Sequence, residues 1–336
     1  MGSKKTWVLR KQNKELVKEL AAALRVKPVV AQILVNRGIK SVEAGRKFFQ
    51  CELADTPDPF LMLGMDKAVA RIERALTHRE KIVVYGDYDV DGQTATALLV
   101  LTLRELSQDP ATIMYYVPDR VDEGYGLNRD AVTRLSQRAS LLITVDCGIS
   151  SRAEVEYACG LGLDVIVTDH HEPGPDLPAA VAILNPKQGR CPYPFKGLAG
   201  VGVAFKLVQG LGVPLPKLRC YLDLVALGTV ADLVPLQEEN RAFVKHGLKQ
   251  MEQTNSSGLR ALLEVAEVDK PTATDLGFRL GPRLNAAGRL GDPTRGVRLL
   301  LTQDPSEAKE LAWELNQENT KRQELETDVL EAAIAV

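Results

Sequence analysis

Apolar residues recur along this chain in two rhythms. Over 12–26 they return at a spacing near 3.6, which predicts a helix. Residues 28–50 read as a second short helical unit, and 66–79 as another amphipathic helix. Asp55-Thr-Pro-Asp-Pro59 interrupts the pattern and reads as a linker. Beyond it the texture changes. Short runs rich in Val, Ile or Tyr lie at 81–86, 112–117, 141–145, 164–168 and 180–184, each the length of a buried strand. Helix-like stretches at 93–107, 128–138 and 151–161 separate them. Strand alternating with helix predicts an α/β fold, a parallel doubly wound sheet with helices on both faces. Residues 197–234 and 241–265 read as mostly helical, and 281–291 as a loop carrying Arg283 and Arg289. A long amphipathic helix is expected from Ser306, capped by its hydroxyl, running to Val336 with no stop signal. A chain that ends inside a helix suggests a further domain beyond it.

These rhythms divide the chain into a helical N-terminal segment (1–55), an α/β domain (56–240), a helical subdomain (241–305) and a connecting helix (306–336). No uncharged apolar run approaches the roughly 18 residues of a membrane helix, so no membrane association is expected. Five scattered cysteines without a Cys-x-x-Cys pair point to reduced thiols in the cytoplasm rather than to a zinc ribbon or disulfide scaffold.

The formal net charge of −2 speaks at first against a nucleic-acid binder. Its distribution changes that picture. Residues 1–50 hold 12 Lys and Arg against three Glu, a net of +9, which leaves −11 for the rest. A basic segment ahead of an acidic body is a candidate phosphate-facing element, although a solvated helical surface has the same composition.

The acids are concentrated where strands end. The first apolar run leads into Gly86-Asp87-Tyr-Asp89-Val-Asp91-Gly92, the third into Asp146-Cys147-Gly148, and the fourth into Asp169-His170-His171. Asp232 follows Leu227-Gly-Thr-Val-Ala. Doubly wound sheets place ligands outside the carboxyl ends of their strands. A single Asp after a strand is usually a helix cap, but several converging on one crevice would repel each other unless a cation lay among them. An EF-hand reading fails because the twelfth position counted from Asp87 is Leu98. Carboxylates with one or two imidazoles suit Mn2+ or Mg2+, and two such ions suit phosphoryl chemistry. No Gly-x-x-x-x-Gly-Lys-Ser/Thr loop is present. Gly197-Leu-Ala-Gly200-Val-Gly202 either packs closely or approaches a phosphate.

In order along the chain, Asp87-Tyr-Asp89-Val-Asp91-Gly, Val145-Asp146-Cys-Gly, Asp169-His170-His171 and Gly228-Thr-Val-Ala-Asp232 resemble the motifs of the DHH phosphoesterase superfamily. The stretches 117–126, Asn185-Pro-Lys-Gln, Cys191-Pro-Tyr-Pro-Phe and 282–290 are similar to its single-stranded-DNA-specific exonucleases. The resemblance implies a 5'-to-3' exonuclease of DNA repair and recombination that uses two Mn2+ or Mg2+ ions. It implies metal ligation by Asp87, Asp89, Asp91, Asp146, His170 and Asp232, with Asp146 bridging the ions. Asp169 and His171 would join Asp146 in catalysis, with His171 at the scissile phosphate. Arg120, Arg283 and Arg289 would hold DNA. Single-stranded DNA is the implied partner of a monomer, with a helicase or single-strand-binding protein alongside. A second lobe of the DHHA1 type is implied beyond the terminal helix. Two alternatives stay open: a phosphoesterase of short oligonucleotides, cyclic dinucleotides or pyrophosphate, and a scaffold without activity.

Overall fold

The computed structural model describes residues 13–120, 122–290 and 292–334, without the side chains of Arg289 and Leu290. The first dozen residues of the basic segment therefore lie outside the described part, as does the side chain of Arg289. The described residues form two compact units divided between Asp55 and Thr56.

The first unit is helical: α1 (Lys14–Leu24), α2 (Pro28–Asn36) and α3 (Val42–Gln50). The side chains of Asn13 and Ser41 accept from the amides of Leu16 and Ala44 and so cap α1 and α3. Leu20, Ala31 and Leu34 are buried.

The second unit begins with α4 (Met65–Thr77) and continues as a sheet layered with helices. Its strands are β1 (Ile82–Gly86), β2 (Ile113–Tyr116), β3 (Leu141–Val145), β4 (Asp164–Thr168) and β5 (Ala182–Leu184). They lie in the order β2-β1-β3-β4-β5 and every pairing is parallel. Helix α5 (Val90–Leu106) follows β1, α6 (Arg129–Ser136) precedes β3, and α7 (Arg152–Gly160) links β3 to β4. Residues of β1, β3 and β4 are buried almost throughout, which is why their sequences read as continuous apolar runs rather than alternating ones. Val83, Tyr85, Leu142, Val165 and Val167 pack with Ala131, Val132, Leu135, Val155 and Ala158 of α6 and α7. Alternate strand residues face the other layer, formed by α5 and α8 (Gly200–Gly210).

Next come α9 (Leu215–Cys220), α10 (Leu222–Ala231), α11 (Glu238–Met251), α12 (Ser257–Val265) and the one-turn α13 (Ala273–Asp275). A π-helical turn, Leu276–Leu280, leads into α14 (Gly281–Leu290), then α15 (Thr294–Leu301) and α16 (Pro305–Ile334).

Two local expectations are corrected. Residues 281–290 are helical, not a loop. The amide of Gly281 donates to the carbonyl of Leu276, and this wider turn ends where Pro282 enters, a residue that lacks an N–H and crowds an ordinary α-helical turn. The long helix begins one residue earlier than expected, and its cap is Asp304, whose Oδ1 accepts from the Ser306 amide at 2.9 Å. Ser306 lies within the first turn.

Candidate active site

The strand order reverses between β1 and β3, which opens a crevice beyond their carboxyl ends. Register aligns what each strand delivers there. Gly86 pairs with Val145, and Val145 with Thr168. Asp87, Asp146 and Asp169 therefore stand side by side, each one residue past the last pair. The Asp146 amide still bonds the Thr168 carbonyl, although Asp146 itself adopts a left-handed backbone with φ 61°. That conformation is tolerated best by Asn, Asp and Gly. It turns the carboxylate across the crevice instead of along the strand.

Helix α10 supplies the fourth group. Its C-terminal Asp232 places Oδ2 3.5 Å from His170 Nε2, and that nitrogen lies 3.1 Å from Asp146 Oδ1. Gly228 lets α10 approach α5: a Cβ there would stand 2.3 Å from Thr94 Oγ1 and 2.9 Å from Asp91 Oδ1.

The acids divide by the company they keep. Asp91 Oδ2 and Oδ1 accept from the amides of Gly200 and Val201 at 2.6 and 2.9 Å. The glycine-rich start of α8 thus receives a carboxylate of this chain, not a phosphate. Asp89 Oδ1 caps α5 through the Gly92 amide at 3.0 Å. Asp169 accepts from the amides of Ile149, His170 and His171 and from His171 Nδ1, so it orients the imidazole. By contrast, Asp87 Oδ1, Asp146 Oδ1, His170 Nε2 and Asp232 Oδ2 are buried without a hydrogen-bond partner. Buried polar atoms are nearly always satisfied. Four orphaned, mostly acceptor atoms in one crevice, on carboxylates and an imidazole, fit a divalent cation. Three ligand sets have all their atoms within 4.8 Å of one another: Asp146 with His170 and His171, Asp91 with His170 and Asp232, and Asp87 with Asp89 and Asp146. Asp146 is common to two of them.

Electrostatics agree with that need. Burial, then the charge of Asp89, pushes the Asp87 carboxyl up to about 7. Burial and Asp89 likewise raise Asp232 to about 6. Asp91 and Asp146 are raised by burial and by neighbouring carboxylates. Burial lowers His170 to about 4, which leaves a neutral imidazole suited to ligation. Its neighbour His171 is raised through its bond to Asp169, and Asp169 is lowered because that bond and the amides outweigh burial.

Several further participants were given no site role by the sequence, although Tyr125, Asn185 and Asn285 lie in the family-like stretches and only Gln93 lies outside them. Tyr125 OH lies 3.2 Å from His171 Nδ1 and 3.3 Å from the Asp146 carbonyl. Asn185 Nδ2 donates to the His171 carbonyl at 2.9 Å. From α14, Asn285 Oδ1 accepts from the Val90 amide, while Gln93 Nε2 bonds the carbonyls of Tyr88 and Leu284. Most of these ties join residues distant in sequence, so only folding reveals them.

The arginines part company. Arg120 lies over the Tyr88 ring at 5.2 Å, at the rim of the acidic turn. Arg283, expected to hold DNA, makes a structural contact between helices. It is partly buried, bonds the Arg279 carbonyl, and reaches Asn316 Oδ1 at 2.9 Å, tying α14 to α16. These bonds use Nε and Nη1 of its guanidinium.

Residues 81–229 match the DHH family, N-terminal domain. A crystal structure of exonuclease RecJ bound to manganese is 40% identical with a TM-score of 0.75, covering 81% of this chain and 69% of that one. The chain belongs to the RecJ family. The single-stranded-DNA-specific exonuclease RecJ of Bacillus subtilis is 46% identical over 99% of this chain and 42% of the relative. RecJ of Escherichia coli is 44% identical over 95% of this chain and 57% of the relative. The chain thus spans about half the length of these curated RecJ relatives. RecJ of Thermus thermophilus in complex with Mn2+ superimposes with a TM-score of 0.83 at 36% identity, over 96% of this chain and 46% of that one. The matched domain contains Asp87, Asp89, Asp91, Asp146 and the Asp169-His170-His171 turn, and ends just before Asp232.

Proposed function

We propose that the protein hydrolyses phosphodiesters of single-stranded DNA from the 5' end, releasing mononucleotides, with two Mn2+ or Mg2+ ions held in the crevice. One observation carries the reading: Asp87, Asp146, His170 and Asp232 point buried, unsatisfied atoms at a common space in a RecJ-family fold. Asp87 and Asp89 would form one side of the site and Asp91, His170 and Asp232 the other, with Asp146 between. When bound, divalent cations supply charge neutralisation at the phosphate and acidify the attacking water. The chain's own residues do the rest. Asp169 and Tyr125 fix the His171 ring through Nδ1, which leaves Nε2 to donate a proton to the departing oxygen. Arg120, braced on Tyr88, offers its guanidinium to a backbone phosphate, the role that the motif resemblance also gives to Arg289.

A cytoplasmic monomer supplied with single strands by a helicase or single-strand-binding protein accords with this chemistry. Its test is a 5'-labelled single strand incubated with the protein and Mn2+. Mononucleotide release that Asp89→Ala abolishes is the expected result. Equal behaviour of the two proteins, or faster turnover of dinucleotides than of long strands, overturns it.

A further inference from the structure

The two most exposed large apolar side chains among the described residues are Leu233 at 84% and Phe278 at 79%. Neither contributes to the core. Leu233 directly follows Asp232, whose carboxylate faces His170. Its backbone is left-handed, with φ 59°, a region that a branched L-residue enters at a cost. Phe278 sits on the π-helical turn, an element that recurs at functional sites. That turn packs on the same end of α10. A Cβ at Gly277 would lie 3.6 Å from Val230 Cγ1, and one at Gly281 would lie 3.7 Å from Ala231 Cβ. The turn that carries Phe278 and the segment Asp232-Leu233 thus meet at one end of α10, and both present an exposed large apolar residue. Strain of this kind persists where the surrounding structure enforces it, and it clusters at binding sites.

We infer that Leu233 and Phe278 form an apolar ledge for a base of the bound strand next to the phosphate being cut. The inference rests on the nuclease reading above and adds to it the means of holding the nucleotide. A nucleobase is the occupant that fits. Leu233 directly follows the crevice residue Asp232, the turn of Phe278 packs on the same helix end, and every base has a π-face that can lie on an aromatic ring whatever the sequence. Arg279, next in sequence to Phe278 and about two-fifths exposed, pairs with Asp275 on the same turn. A ledge that reads only the base face gives binding without sequence preference, which suits an enzyme that degrades any single strand.

The test compares two strands of equal length with uncleavable phosphorothioate linkages, one with normal bases and one with abasic residues at its 5' end. Binding is followed by fluorescence anisotropy with Mn2+ present. Phe278→Ala, and Leu233→Asn, which tolerates the left-handed backbone, are each expected to weaken binding of the normal strand about tenfold. They should leave binding of the abasic strand unchanged, while Phe278→Trp retains parental affinity. Mn2+ calorimetry on each variant should match the parent, which shows that the crevice is intact. Variants that bind the normal strand as the parent does, or that lose the abasic strand equally, overturn the ledge and leave the nuclease reading standing. A parent that binds neither strand overturns both.

Discussion

Asp146 shows how much one residue's backbone decides. Its positive φ turns the carboxylate across the crevice to within 3.1 Å of His170 Nε2. Nothing in Val145-Asp146-Cys-Gly announces that turn beyond the presence of Asp. The protonation of its neighbours leads to a pH prediction. Asp87 and Asp232 hold protons up to about 7 and about 6 in the cation-free protein, and a cation binds only their ionised forms. Mn2+ affinity measured by calorimetry is therefore expected to rise between about pH 5.5 and pH 8, with fewer protons released per ion as pH increases. The stability sign follows. Folded pKa values above the ordinary 3.8 mean that the cation-free protein loses stability as pH rises through them. The gain in Tm on adding Mn2+ should grow over the same interval. A second expectation concerns Asp169, which accepts from His171 Nδ1 and three amides. Asp169→Asn is expected to lower kcat about 10–100-fold, the usual effect of removing a group that orients an active-site imidazole. Activity within twofold of the parent would refute this role.

At the level of elements, helix ends and close approaches shape the crevice. The start of α8 gives two amides to Asp91, and Gly200 makes the approach possible: a Cβ there would stand 2.4 Å from Asp146 Oδ1. Gly200→Ala is expected to displace Asp146 and to cost about 1–3 kcal/mol of stability from overpacking, alongside a loss of Mn2+ binding. Chemical denaturation and calorimetry on the same sample check both effects. Helix α8 is anchored by a fully buried cation. Lys206 Nζ donates to the Pro57 carbonyl and lies 3.2 Å from Glu239 Oε2, while Tyr193 donates to the other oxygen of Glu239. Lys206→Met leaves that carboxylate uncompensated and is expected to cost about 3–5 kcal/mol. Removing Glu239 as well, by Glu239→Leu, should recover much of the loss in urea denaturation. Strands were legible at this scale because buried parallel strands read as short apolar runs. The 281–290 segment was misread as a loop because its glycines and Pro282 suggest a break. The π-helical turn accommodates Pro282 within a continuous helical run and packs on the end of α10.

For the whole molecule, the formal charge of −2 is a sum of unlike parts. Many acids of the second unit are gathered at one sheet end, where repulsion among them opposes folding until cations arrive. Saturating Mn2+ at 100 times its Kd is expected to stabilise the protein by about 2.7 kcal/mol, readable as a rise in Tm that chelation reverses. No change in Tm with Mn2+ would show that the orphaned atoms hold no ion. The same two-part distribution left the net charge a poor guide to nucleic-acid binding.

The sequence by itself determined the α/β alternation, the five strand positions and the acids that end three of them, because hydrophobic period and strand length are local properties. It also determined which residues have the chemistry to hold a cation. Only the tertiary structure decided which of those acids have hydrogen-bond partners and which do not. Asp91, Asp89 and Asp169 are bonded to amides brought from elsewhere in the chain or from their own turns, while Asp87, Asp146 and Asp232 each keep an oxygen without a partner. It also decided that Arg283 serves a helix contact, that Tyr125 touches His171, and that the turn carrying Phe278 packs on the end of α10. The physical reason is common to all of these. A side chain's chemical type is written in the sequence, but its hydrogen-bond partners and its exposure depend on chain segments that can lie a hundred or more residues away.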